Sequence, residues 1–121
     1  MAFPGTYNIS YYKGDTLEFR IYPKDASGAA FNLTGFDTTA KFVIATARGA
    51  SATQIIATAK ISDDLTYVAC VITPTQGMSL DPSIQYVYDV EITKTVSGSY
   101  PYVYTLLTGA LSITDQVSGA V

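Results

Sequence analysis

The chain has 121 residues, a length that fits one domain, and 48% of them are hydrophobic while only 14% are charged. This composition excludes an intrinsically disordered protein. The absence of histidine and the single cysteine exclude a Ser-His-Asp triad, a Cys-His nucleophile, a zinc site with histidine or four cysteines, and an internal disulfide. We therefore expect no enzymatic activity, no metal and no cofactor.

The formal net charge is −3, and the seven lysines and arginines are scattered singly along the chain. Sequence neighbours cannot form a basic patch, so we expect neither nucleic acid nor an anionic membrane as a partner. Residues 1–10 lack the basic and apolar regions of a secretory signal, and no apolar run approaches the length of a membrane helix. We expect a soluble product made in the cytoplasm.

Apolar and polar residues alternate along most of the chain, which is the period of a half-buried strand. A short first strand is predicted at residues 6–12. The alternation then recurs in six segments, DTLEFRIYP, TTAKFVIAT, QIIATAKIS, LTYVACVIT, YVYDVEIT and YPYVYTLLTGALSIT.

Turn signals separate these segments every 8 to 12 residues, the spacing of an antiparallel sandwich. Residues 73–83 hold two prolines and a glycine, which predicts a crossover between sheets with at most one helical turn. Gly109 suggests a bulge or a bend in the last strand. We predict an all-β, immunoglobulin-like β-sandwich of about seven strands at 11–115, preceded by an arm or short first strand at 1–10 and followed by a tail at 116–121.

Two features could carry chemistry. Cys70 lies in an apolar run and is expected to be a buried, inert thiol. Asp63 and Asp64 form the only adjacent acidic pair, but the spaced oxygen ligands of a calcium loop are absent, so a solvated turn is expected. The remaining carboxylates lie mostly in turns or on alternate strand faces, which argues against a glycosidase pair.

The ten tyrosines are the exceptional feature, because tyrosine is enriched at interfaces and also fills β cores. The pairing of Val90 decides between these roles for the last strand. If Val90 pairs with Thr105, Tyr102 and Tyr104 face solvent or a partner; if it pairs with Tyr104, they join the core. A shift of one residue exchanges the faces.

We predict that contacts with other proteins come from tyrosine-rich edges, the loop at 47–53 and the two termini. The candidate interface residues are Phe3, Tyr7, Tyr11, Tyr12, Tyr100, Tyr102 and Tyr104.

Two blocks of the sequence resemble a phage family. Residues 11–44 contain Gly-Asp-Thr, an alternating strand and Asn-Leu-Thr-Gly. Residues 86–118 contain Tyr-Asp-Val-Glu, a Ser-Gly turn and Thr-Leu-Leu-x-Gly. Together they are similar to the N-terminal domain of phage upper baseplate proteins and to related immunoglobulin-like modules of virions. In these blocks we expect Leu33 to plug one end of the domain with Gly35 in a tight turn, and Tyr88, Val90 and Ile92 to form a core stripe.

The resemblance implies a non-enzymatic bacteriophage virion protein that docks on other virion proteins. Because no further domain follows in this sequence, we expect a capsid decoration (cement) protein or a small tail, neck or baseplate adaptor component. Self-association on the particle stays open. The alternative is a carbohydrate-binding module for host adhesion, in which tyrosines stack on sugar rings.

Overall fold

The computed structural model describes residues 4–49 and 54–115. Almost all of its regular structure is extended, so the all-β prediction is confirmed. The strands are β1 (Gly5–Thr6), β2 (Ile9–Tyr12), β3 (Leu17–Ile21), β4 (Thr39–Ala45), β5 (Gln54–Ile61), β6 (Val68–Ile72), β7 (Gln85–Lys94) and β8 (Tyr102–Thr114), and the helical turn α1 (Pro74–Gly77) lies between β6 and β7.

The strands form one continuous curled sheet, a half-barrel, in the order β1-β8-β7-β4-β5-β6-β3, with β2 also paired to β8. β1 and β2 run parallel to β8, and all other pairs are antiparallel. The strand pairing therefore does not divide the chain into the two separate antiparallel sheets expected of a sandwich. β5 makes the sheet continuous, because it pairs with β4 along residues 54–60 and with β6 along residues 58–61.

The core fills the inside of the curl. Phe42 of β4 contacts Phe19 of β3 at a ring-centroid distance of 5.6 Å, although the two strands are not neighbours in the sheet. Phe42 also packs edge-on against Tyr88 of β7 at 5.5 Å. Such aromatic pairs add to the stabilisation that comes from apolar burial. The predicted core stripe of Tyr88, Val90 and Ile92 is confirmed, since all three are buried.

The predicted turns position the strands. Leu33 is buried as expected, and Gly35 has a φ of +85°, which glycine adopts without strain. Thr73 caps α1 by accepting from the backbone N–H of Gln76, whose side chain accepts from the backbone N–H of Thr73. The chain then crosses from β6 to β7 past two intervening strands of the same continuous sheet, whereas a crossover between two sheets was predicted.

The N-terminal segment lies in the sheet over its described residues. β1 and β2 replace the single strand predicted at 6–12, and the break between them falls at Tyr7 and Asn8. Asn8 accepts a hydrogen bond from the backbone N–H of Ala110 through its side-chain oxygen, at 3.1 Å. The tail at 116–121 and residues 50–53 of the predicted contact loop lie outside the described residues.

Candidate functional site

A bulge in β8 decides which way the C-terminal tyrosines face. Val90 pairs with Leu107 and Glu91 pairs with Thr105, so Leu106 is an extra residue in β8. Neither register considered from the sequence is therefore correct. Beyond the bulge Tyr104 lies opposite Ile92 on the core face, whereas an unbulged ladder would place it opposite Thr93 on the outer face.

The loop between β3 and β4 brings two phenylalanines to the same place. The backbone N–H of Phe31 donates to Pro23 at 2.9 Å, and the backbone N–H of Phe36 donates to Leu33 at 3.3 Å. Between them the side chain of Asn32 accepts from the backbone N–H of Thr34 at 2.9 Å, which closes a local turn. The buried Leu33 thus anchors a loop that carries an aromatic ring on either side.

These elements build a surface that we call the aromatic end, consisting of Phe31, Phe36, Lys94, Tyr102 and Tyr104. The Tyr104 ring lies 5.6 Å from the Phe31 ring and 6.0 Å from the Phe36 ring, measured between centroids. The Lys94 ammonium lies 5.8 Å from the Phe36 ring centroid, within cation–π range. Tyr102 pairs with Lys94 across the sheet.

The aromatic end surrounds a shallow cavity of about 300 Å³, to which Asn32 and Thr34 also contribute. Its lining contains one cation and no carboxylate, so its chemistry favours apolar contact with a polar or anionic group near Lys94. Aromatic rings with a few convergent polar groups are typical of binding sites. No lining residue pairs a nucleophile with a base, so the arrangement suits binding and not acid–base catalysis.

Tyr100 and Tyr102 extend this surface into solvent. Their rings contact each other edge-to-face at 5.7 Å, and the two residues are 71% and 40% exposed. Exposed, mutually packed tyrosines offer a large contact area with few rotatable bonds. Tyr104 is half-buried beneath these two rings, so its main role is to support the exposed surface.

The other predicted interface residues do not join the aromatic end. Tyr7 and Tyr12 are exposed, but they lie beside the middle and the far end of β8. The prediction for Tyr11 is wrong: it is only 2% exposed, and its hydroxyl donates to the Asp15 carbonyl at 2.6 Å. Its place on the inner face of β2 makes it a core residue. Phe3 lies outside the described residues.

Several other ionisable groups interact with their own surroundings and build no second site. Cys70 is buried as expected, and burial raises the pKa of its thiol to about 12. On the outer face Arg48 forms an ion pair with Asp89 at 2.9 Å and also donates to Thr108. Asp64 accepts from the hydroxyls of Ser62 and Thr66, and these hydrogen bonds lower the pKa of its carboxyl. The acidic pair at 63–64 is thus a solvated turn, as predicted.

Within residues 4–49 and 54–115, no group of three or more histidine, cysteine, aspartate or glutamate side chains could hold a metal ion. In the same ranges no helix is long and apolar enough to cross a membrane.

The sequence reasoning missed Phe31, Phe36 and Lys94. The signal for the two phenylalanines was present in the run FNLTGF, where they lie two residues before and three residues after the predicted anchor Leu33. Lys94 could not be recognised, because its place depends on the register beyond the β8 bulge.

No protein-family model matches the chain, and no curated protein matches its sequence.

Proposed function

We propose that the protein is a non-enzymatic structural component of a bacteriophage particle that docks on other virion proteins through its aromatic end and the adjacent Tyr100. The resemblance of residues 11–44 and 86–118 to phage baseplate and virion modules supports the phage assignment. A capsid decoration role or a small tail, neck or baseplate adaptor role fits a module that acts by contact. Its localisation would then be the virion.

The exposed Tyr100–Tyr102 pair is the observation that carries this proposal. The two rings stand next to an apolar cavity and next to a lysine, so they combine aromatic area with a cation at its border. Exposed tyrosines at the edge of an apolar patch resemble the composition of protein interfaces more than that of average surface. With few charges to desolvate, such a surface can be buried against another protein at low cost.

We further propose that the curled sheet is an immunoglobulin-like sandwich whose two layers are joined by β5. The support is geometric. β8, β7 and β4 form one run of strands, and β6 and β3 form another, with Phe42 and Phe19 in contact between them. A module of this kind on a virion lattice would present its strand ends to neighbouring proteins. Many copies, each bound weakly, would then stabilise the particle through avidity.

Particle composition tests the proposal. Virus particles purified from the cells that naturally produce the chain should contain it in a fixed ratio to the major capsid protein, as measured by quantitative mass spectrometry. Hundreds of copies would assign it to decoration, and six, twelve or eighteen to a neck, tail or baseplate ring. Complete absence from purified particles would overturn the assignment.

The second candidate is a carbohydrate-binding module, which the aromatic cavity favours because sugar rings stack on aromatic faces. Asn32 and Lys94 would then bind sugar hydroxyl or acidic groups. Titration with a panel of host glycans, followed through the chemical shifts of the Phe31 and Phe36 rings, tests this reading. The absence of shift changes at millimolar sugar would rule it out.

A further inference from the structure

β3 ends the sheet with an open edge. Over residues 4–49 and 54–115 only β6 pairs with β3, so one side of Leu17–Ile21 has no neighbouring strand. An open edge presents unpaired N–H and C=O groups, which is a template for another strand. The strand contains neither proline nor glycine to block such pairing.

The opposite edge of the sheet is not equivalent. It consists of β1 and β2, which are two and four residues long and are separated by Tyr7 and Asn8. Short, interrupted strands are a usual protection against edge pairing. Between the two edges lies an open groove of about 420 Å³, lined by residues that include Tyr7, Phe19 and Arg20. Space is thus available next to β3.

The sequence of β3 is self-complementary. It reads Leu-Glu-Phe-Arg-Ile, with one acid and one base placed symmetrically about Phe19. Glu18 and Arg20 are exposed on the outer face, while the alternate apolar residues are only half-buried on the inner face. Within residues 4–49 and 54–115 neither Glu18 nor Arg20 forms an ion pair.

We propose that two copies of this chain associate through antiparallel pairing of their β3 edges, with the two-fold axis next to Phe19. This register places Glu18 of each copy opposite Arg20 of the other, and Leu17 opposite Ile21. The same patch serves both copies, as closed two-fold symmetry requires. Opposite charges then meet on the outer face, and apolar side chains meet on the inner face.

Charge complementarity selects a second copy as the occupant. A parallel arrangement or a register shifted by two residues would lose at least one of the two ion pairs. In the single chain the guanidinium of Arg20 stacks at 4.3 Å on the ring of Tyr67, the residue before β6, and it would turn towards the open edge to meet Glu18 of the other copy. The exposed Tyr7 and Tyr22 stand at the borders of the groove and add contact area. The inference concerns a different surface from the aromatic end and does not rest on the proposed function.

Two reciprocal charge reversals test the register. In Glu18→Arg both residues of the pair are positive, and in Arg20→Glu both are negative, so each variant alone repels its own copies. We expect each reversal to weaken self-association about tenfold or more, because two attractive cross-strand pairs become repulsive. A mixture of the two variants places opposite charges together again and should form a heterodimer.

Sedimentation velocity over a wide concentration range measures these associations, and circular dichroism verifies that each variant is folded. Asp63→Lys, which changes an exposed charge in the β5–β6 turn by a similar amount, is the control and should dimerise like the unaltered chain. Dimerisation of the unaltered chain that is lost in both reversals and restored in the mixture supports the proposal. A chain that is monomeric at all concentrations would overturn it, as would reversals that leave the dimer unchanged or a mixture that stays monomeric.

Discussion

The main-chain oxygen of Tyr7 lies so close to Gly109 that a β-carbon on this glycine would overlap it. The same oxygen accepts a hydrogen bond from the Tyr88 hydroxyl, 81 residues away. The N-terminal segment is thus packed directly onto the backbone of β8 and is bonded to the core. The sequence context of Gly109 suggested a bulge or a bend. The register shift of β8 falls at Leu106 instead, and Gly109 marks a close approach of two backbones.

Gly109→Ala should lower the free energy of unfolding by about 2 to 4 kcal/mol, because the added methyl group forces residues 7 and 8 away from β8. Gly5→Ala is the matched control: its β-carbon would meet Leu107 at 3.5 Å, an ordinary contact. Urea denaturation measures both. Equal stabilities for the two variants would contradict the close approach.

Tyr104→Ala should cost about 1 to 3 kcal/mol of stability, since this half-buried ring supports Phe31 and Phe36. Tyr100→Ala should change stability by no more than about 0.5 kcal/mol, because this side chain is largely exposed. Thermal and urea denaturation distinguish them. An equal loss of stability in the two variants would contradict the assignment of Tyr104 to the support of the aromatic end and of Tyr100 to its exposed surface.

The Cys70 thiol should react with a thiol reagent only when the chain unfolds. At pH 8, raising its pKa from 9.0 to about 12 lowers the thiolate fraction about a thousandfold, and burial also blocks access. Labelling with a disulfide reagent, with and without denaturant, measures the two rates. Rapid labelling of the folded chain would show that the thiol is accessible.

The Cys70 thiol also makes the stability of the fold depend on pH in the alkaline range. Because its folded pKa is above its unfolded value of 9.0, the stabilisation is complete below pH 9 and is lost as pH rises towards 12. Between pH 8 and pH 10 the difference in unfolding free energy between the unaltered chain and Cys70→Ala should fall by about 1.4 kcal/mol. Burial also raises the pKa of Tyr88, so both proteins should lose further stability above pH 10. A constant difference from pH 8 to pH 10 would contradict this account.

The strands themselves were predictable because each half-buried segment alternates. Leu17, Phe19 and Ile21 lie on the inner face of β3, and the stripe from Tyr88 to Ile92 lies in the core, as the period of two requires. The burial of Leu33 and the turn at Asp63 could also be predicted, because the local sequence determines each of them.

The candidate site was only partly predictable, because its geometry depends on long-range pairing. The extra residue Leu106 is apolar and buried, so nothing in its sequence distinguishes it from its neighbours. The continuity of the sheet through β5 and the burial of Tyr11 likewise depend on which strands pair. Exposed and buried tyrosines look the same in the sequence when the register is unknown.

Retention on particles tests the docking role of the aromatic end most directly. The double variant Tyr100→Ser/Tyr102→Ser removes the exposed rings, whereas Val103→Thr changes an exposed neighbour in the same strand that lies opposite Thr93 on the outer face. We would add each folded variant to particles that lack the protein and measure the bound fraction after sedimentation. We predict that the tyrosine variant loses at least about tenfold in affinity while Val103→Thr binds like the unaltered chain. Undiminished binding of the tyrosine variant would contradict the proposed docking surface.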